Sequence, residues 1–176
     1  MDDLIPLGQV YAAIEGHIKE AIPELAYVGT MPEKLEHICV PGVVIELTGF
    51  EPADEDPGTG EVAVDARFEA RVLIGREQCD SLVAAAHCAA QLAVLLRMQS
   101  WGLPVGLAEF IRSERDWTRP ELDTCVVWVV EWSQVIFLGK EEWPWPNQPP
   151  GSLVIGFSPN TGPGSEDAYQ PPEAME

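Results

Sequence analysis

Basic side chains are scarce in this sequence: its 176 residues include 10 Lys and Arg against 29 Asp and Glu, a formal net charge of −19 at pH 7. Tight binding of nucleic acid depends on contacts of Lys and Arg with phosphates, so this shortage argues against a DNA- or RNA-binding surface. The opposite relation to DNA stays open, because a wall of carboxylates repels phosphate and lets a strand pass without binding. A solvated acidic surface without such a role explains the charge equally well.

Long apolar runs are also missing, and none approaches the roughly 20 residues that span a bilayer, so we expect no membrane protein. The sequence opens with Met1, Asp2 and Asp3 and has no basic segment before an apolar stretch. We therefore expect no secretory signal, folding in a reducing cytosol, and four cysteines that remain free thiols.

Motifs that carry catalysis or hold a cofactor are lacking as well. Cys79, His87 and Cys88 fall near one helix, but zinc sites need four ligands and commonly a closely spaced Cys pair that this sequence lacks. A reactive thiol needs a positioned base, whereas His17, His37 and His87 are spread over different elements, and no glycine-rich elbow adjoins a cysteine. We therefore predict a non-enzymatic protein with no catalytic residue, no metal and no cofactor.

The acidic, glycine-rich segment at residues 51–60 is a remaining candidate for an ion or phosphate site. Its glycines are not followed by Lys and do not open a helix, as those of a phosphate-binding loop do. Asp54, Glu55 and Asp56 offer oxygen ligands to calcium, but the regular spacing of a calcium loop is missing. The prolines and glycines instead predict an exposed hairpin tip, whose three acids are candidates for contact with a neighbouring subunit.

Apolar periodicity predicts two helices. The first, at residues 4–22, has one apolar stripe of Leu4, Leu7, Tyr11, Ile14, Ile18 and Ile22. The second, at about residues 80–100, has a broad apolar face of Leu82, Ala86, Ala89, Ala90, Ala93, Val94 and Leu96. Pro23 ends the first helix and the Trp-Gly-Leu-Pro sequence at residues 101–104 ends the second.

Strands are predicted at residues 25–28, 43–47, 61–75, 107–117 and 125–138. The third alternates regularly, with a buried face of Val62, Val64, Ala66, Phe68, Ala70, Val72 and Ile74. Its other face is predicted to be solvent-exposed and carries Glu61, Asp65, Arg67, Glu69 and Arg71. The last strand is apolar on both faces, so we expect it to be central in the sheet or covered by another subunit.

The resulting fold class is α+β: two helices packed on an antiparallel sheet of four to five strands. We expect one domain at residues 1–140 and a Pro-rich, partly extended C-terminal arm at residues 141–176. The core of this domain should form between residues 82–96 and the buried face of the third strand, to which Val62, Val64, Phe68 and Val72 contribute.

Two sets of side chains are candidates for an interface. Trp143 and Trp145 are flanked by prolines in the arm, where large rigid aromatics are hard to bury within one small domain. Arg112, Arg115 and Arg119 gather on and beside the last hairpin of an otherwise acidic chain, where they can dock an acidic partner. The alternative for these arginines is local pairing with acids of the same hairpin, which are Glu109, Glu114 and Asp116.

A family resemblance follows from three segments. The last strand, VVWVVEWSQVIFLG at residues 126–139, resembles the terminal strand of tail-terminator proteins of Mu-like long-tailed phages. The Ala-rich helix entered from Arg76, Glu77 and Gln78 is similar to theirs, and GFSPNTG at residues 156–162 resembles a short motif after their final strand. The order of helix, strands, helix and hairpin agrees over most of the chain. The acidic hairpin and the Pro-rich arm depart from the family pattern.

The resemblance implies a structural virion protein that assembles in the host cytoplasm and lies at the head–tail junction. Such a protein forms a homohexameric ring that caps the tail tube, ends tube polymerisation and offers a docking face to the head-completion protein. Its partners are further copies of itself, the tube protein and that neck protein, while DNA passes through without specific binding. Two alternatives remain: another neck or tail component, such as a head-completion protein, tube subunit or tail chaperone, or a small non-viral binding domain or enzyme.

Overall fold

A computed structural model describes residues 7–32, 38–54, 58–118, 122–139, 155–161, 164 and 168–170. The chain forms two compact units, Met1–Trp143 and Pro144–Glu176. Most of the predicted C-terminal arm lies outside the described residues. In its described part, Ile155 and Gln170 form an antiparallel bridge, and Gly156 lies so close to the ring of Tyr169 that a Cβ there would clash with it.

The first unit contains two helices and five strands. Because helices and strands do not alternate regularly along the chain, the arrangement belongs to the α+β class. The elements are α1 (Leu7–Ala21), β1 (Tyr27–Gly29), β2 (Gly42–Pro52), β3 (Val62–Gly75), α2 (Ser81–Leu95), β4 (Glu109–Arg115) and β5 (Cys125–Leu138). The sheet has the order β1-β2-β3-β5-β4, with β1 parallel to β2 and every other pair antiparallel. The predicted fold class is confirmed, and β5 is an inner strand as expected.

The main core lies between the helices and one face of the sheet. Phe68 of β3 and Trp132 of β5 are fully buried there and stack with ring centroids 5.4 Å apart. Ile14 and Ile18 of α1 join this core as predicted, whereas Leu7 is exposed and Val10, which the stripe omitted, is buried.

The predicted apolar face of α2 is correct only in part. Ala89 and Leu96 are buried as predicted, but Leu82 and Val94 are 49% and 75% exposed. Ala85, Cys88 and Leu92, which the prediction omitted, pack into the core. A helix usually reveals its buried side by contrast with a charged side. No charged residue occurs anywhere in α2, so the sequence offered no such contrast.

The second face of the sheet is also less exposed than predicted. Leu73 and Val44 are fully buried in a smaller cluster with Val127 and Leu122, and part of the segment after β1 packs against that cluster. Arg71, predicted on the solvent-exposed side of β3, is only 6% exposed. Alternation identifies which side chains share a face, but it does not show that other segments cover one end of that face. We call this second, largely charged surface the open sheet face.

The buried side chain of Gln134 holds the segment that follows α2 in place through hydrogen bonds. The helix ends at Leu95, earlier than predicted, and the next turns carry Trp101 back into the core with φ of 59°. The Trp101 Nε1 donates to Gln134 Oε1 at 2.7 Å, and the Gln134 Nε2 donates to the carbonyl of Gly106 at 2.7 Å. These bonds satisfy the polar atoms of a side chain that is 1% exposed, and they position β4 at the edge of the sheet.

Candidate interaction surfaces

The structure describes some of the predicted interface residues. Arg112 and Arg115 lie in β4, and Asp54 is exposed beyond the end of β2 at the hairpin tip. The other candidates lie outside the described residues; they are Glu55, Asp56, Arg119, Trp143 and Trp145. Whether those five meet a partner therefore stays a prediction.

Arg112 is paired within the chain. Its Nε donates to Glu131 of the neighbouring strand β5, and its Nη1 donates to Glu114 two residues along β4. Local pairing with Glu114 is what the alternative interpretation of the basic cluster predicted. Both Arg112 and Glu114 are more than half exposed as side chains, so a partner could still reach this pair.

Arg115 makes a different contact. Its guanidinium carbon lies 3.5 Å from the ring centroid of Trp117, which is itself 68% exposed. A cation over an aromatic face at this distance is favourable, and the stacked pair forms a projection with an apolar body and a charged head. Such a projection suits contact with an acidic surface.

The most concentrated electrostatic feature is a cluster that sequence reasoning missed. Arg71 donates from three nitrogens to three carboxylates: Nε to Asp116 Oδ2 at 3.0 Å, Nη1 to Glu46 and Nη2 to Glu69. Burial lowers the pKa of Arg71, but the hydrogen bond to Asp116 and the charges of Glu69 and Glu46 outweigh it and raise that pKa. The guanidinium thus joins β2, β3 and the segment after β4 across the open sheet face.

Asp116 is the most buried acid of this cluster, with a side chain 7% exposed. Desolvation raises the pKa of its carboxyl, but hydrogen bonds from the hydroxyl and amide of Thr118, together with Arg71, overcome this and lower that pKa. Arg71 and Asp116 are therefore both charged near neutral pH, and the cluster serves to fix the backbone. Its polar groups are directed at one another within the chain.

The edge of the sheet at β4 is protected against pairing with a further strand. Its outer side has no strand partner in the part of the chain that the structure describes. A register shift between Phe110 and Arg112 marks a bulge, and four of the seven residues of β4 are charged. Bulges and charges on an edge strand are the devices by which proteins prevent addition of a further strand.

The exposed side of α2 is apolar and uncharged, in contrast to the charged β4 edge, and we call it the α2 outer surface. Val83, Ala90 and Val94 recur along this side at helical spacing, and Met98 follows just beyond the helix. Val83, Val94 and Met98 are 68%, 75% and 72% exposed. Beside them is an open groove of about 470 Å³, lined by Ala21, Ile22, His87, Ala90, Gln91, Val94 and Leu95. The signal for this surface was present in the sequence as a 15-residue helix without a charge.

The cysteines differ in exposure, and this gives a first testable prediction. Burial, aided by the charge of Glu24, raises the pKa of the Cys88 thiol to about 11, whereas Cys39 and Cys79 are exposed. At pH 8 only about one thousandth of Cys88 is thiolate, the reactive form. Iodoacetamide followed by peptide mass spectrometry should therefore label Cys39 and Cys79 first and Cys88 only after unfolding in guanidinium. Labelling of native Cys88 as fast as Cys79 would contradict its placement in the core.

Among the described residues, no group of three or more His, Cys, Asp or Glu side chains could hold a metal ion. Neither helix in that part of the chain combines the length and apolar character needed to cross a bilayer.

No protein-family model matches this chain, and no curated protein matches it with significant sequence similarity. A functional proposal therefore depends on the residues and contacts above and on the family resemblance of the three segments already described.

Proposed function

We propose that this chain is a non-enzymatic structural subunit of a long-tailed phage. In this proposal it assembles as a homohexameric ring, caps the finished tail tube, ends tube polymerisation and presents the face on which the head-completion protein docks. The ring belongs to the virion at the head–tail junction and assembles in the host cytoplasm.

The observation that carries the proposal is the resemblance of residues 126–139 to the terminal strand of tail-terminator proteins. In this structure these residues supply all but the first residue of β5, the inner strand whose neighbours are β3 and β4. The order of helix, strands, helix and final hairpin supports the same family.

The distribution of charge supports an assembly role. Exposed apolar side chains gathered on one surface commonly mark sites of protein contact, and the α2 outer surface is of this kind. Elsewhere the chain is strongly acidic, with a net charge of −19. A ring of such subunits repels the phosphates of DNA, so DNA can pass through its channel without specific binding.

The proposed function has a direct genetic test. Deleting the gene should leave heads and tails unjoined and tubes that grow past their regular length, because nothing ends polymerisation. Negative-stain electron microscopy of lysates measures both effects, and expression of the chain from a plasmid should restore tails of regular length. Joined particles with tails of normal length in the deletion strain would refute the proposal.

A further inference from the structure

We propose that the α2 outer surface is the contact through which a second copy of this chain docks. This inference deepens the ring function proposed above and rests on it for the number of copies.

Exposure identifies the surface. Val83, Ala90 and Val94 lie on the side of α2 opposite Ala85 and Leu92, which are buried in the core. Val83 and Val94 therefore expose large apolar side chains near the two ends of a helix about 22 Å long at 1.5 Å per residue, with Ala90 between them and the polar His87 and Gln91 beside it. Single exposed apolar residues are ordinary, but several gathered on one uncharged side of a helix are characteristic of a contact site.

Charge indicates that the occupant is another copy. Two chains that each carry −19 repel one another, so they associate best through a surface that places no carboxylates face to face. The helix α2 has no charged residue, although 22% of the chain is charged. A basic partner would instead be drawn to the carboxylate-rich surfaces of this chain, where charge complementarity favours it.

The other surfaces fit a second copy less well. On the open sheet face, Arg71 and Arg112 already pair with acids of their own chain. The β4 edge carries a bulge and alternating charges that oppose strand addition. Of these three surfaces, the α2 outer surface alone is uncharged and apolar.

The groove beside α2 enlarges the contact. A single helical stripe is too narrow to supply the roughly 800 Å² per partner that a stable interface needs. The groove adds an apolar wall from Ala21, the last residue of α1, and Ile22 just beyond it, and its volume of about 470 Å³ can accept a projecting side chain of the second copy. Helix and groove together form an apolar centre, and the charged surroundings form the rim.

The test compares substitutions on and off this surface. Val94→Glu and Val94→Lys place a charge of either sign in the centre of the proposed contact, at an exposed position that tolerates both residues in a helix. The matched control is Val62→Glu, because Val62 is 61% exposed but lies at the start of β3. Circular dichroism confirms that each variant is folded, and sedimentation velocity measures self-association over a range of concentrations at low and high salt.

We expect wild type to self-associate, more strongly at high salt because salt screens the repulsion between acidic copies. Both Val94 variants should raise the dissociation constant at least about tenfold, as loss of a central apolar contact does. Val62→Glu should behave as wild type. Weakening by Glu but strengthening by Lys would show only charge repulsion and would overturn an apolar contact.

Two results overturn the docking surface: wild type that stays monomeric at every concentration and salt, or Val94 variants that associate like wild type. In the second case the ring function is untouched, since another surface then joins the copies. Conversely, normal tails in the deletion strain together with weakened Val94 variants would remove the tail function and leave the docking surface in place.

Discussion

Replacing Arg71 by Met should lower the free energy of unfolding by about 3 to 5 kcal/mol, the usual cost of removing one partner from a buried ionic cluster. The Arg71 side chain is 7% exposed and bonds to three carboxylates, of which Asp116 is equally buried. Methionine retains an unbranched apolar stem but leaves Glu46, Glu69 and Asp116 close together without their cation. Urea unfolding followed by tryptophan fluorescence measures the loss.

Arg67 provides the matched control for this substitution. It lies on the same strand and the same face, but its side chain is 50% exposed and its Nε is 3.8 Å from Glu131. Arg67→Met should therefore cost less than about 1 kcal/mol. If Arg71→Met and Arg67→Met unfold at the same urea concentration, the cluster does not stabilise the fold as argued.

The pH dependence of stability provides a second readout of the same cluster. The pKa of Asp116 is lowered in the folded protein, so its ionisation stabilises the fold above the ordinary value of 3.8. That contribution is lost as the pH falls through the lowered pKa. Wild type should therefore lose stability on acidification below about pH 4, and Arg71→Met should show a shallower loss because its Asp116 has lost one stabilising partner.

Replacing Phe68 by Ala should cost about 3 to 5 kcal/mol, because it empties the centre of the main core. Phe68 is 0% exposed, stacks on Trp132 at 5.4 Å and meets the edge of Tyr11 at 6.3 Å. Removing its ring leaves a cavity between α1 and the sheet that these neighbours only partly fill. Thermal and urea unfolding of the variant against wild type measure the effect.

Val62 is the natural comparison, because the alternation of β3 assigned both residues to the same buried face. In the structure Val62 is 61% exposed. Val62→Ala should therefore change stability by about 0.5 kcal/mol or less. A Phe68→Ala protein that melts with wild type would show that this face of β3 does not meet the core.

Strand predictions succeeded where the chain itself carried a two-residue period. The bounds of β5 were predicted correctly, and those of β3 to within one residue, because the apolar residues of β3 alternate and those of β5 occupy most positions on both faces. For α2 the helix was predicted but its buried side only in part, since Ala89 and Leu96 are buried whereas Leu82 and Val94 are exposed. A helix with apolar residues on every side can be buried on any of them, and the sheet decides which.

The candidate site was predictable only in part. Arg112 and Arg115 were predicted as interface candidates because they are basic residues in an acidic chain, and both lie on β4. The Arg71 cluster could not be deduced, because its partners Glu46 and Asp116 are 25 and 45 residues away and meet it only through strand register. The absence of charged residues from α2 was the sequence signal for the α2 outer surface, but the same signal fits a helix that is buried on all sides. The position of the sheet decides between the two.

The most direct test of the central claim is the number of copies of this chain in finished tails. Quantitative mass spectrometry of purified tails, calibrated against the tube protein and combined with immunogold labelling, measures both copy number and position. We expect six copies per tail, all at the end that meets the head, whatever the tube length. Absence from finished tails would indicate a chaperone, and copies in proportion to tube length would indicate a tube subunit; either result would contradict the ring proposed here.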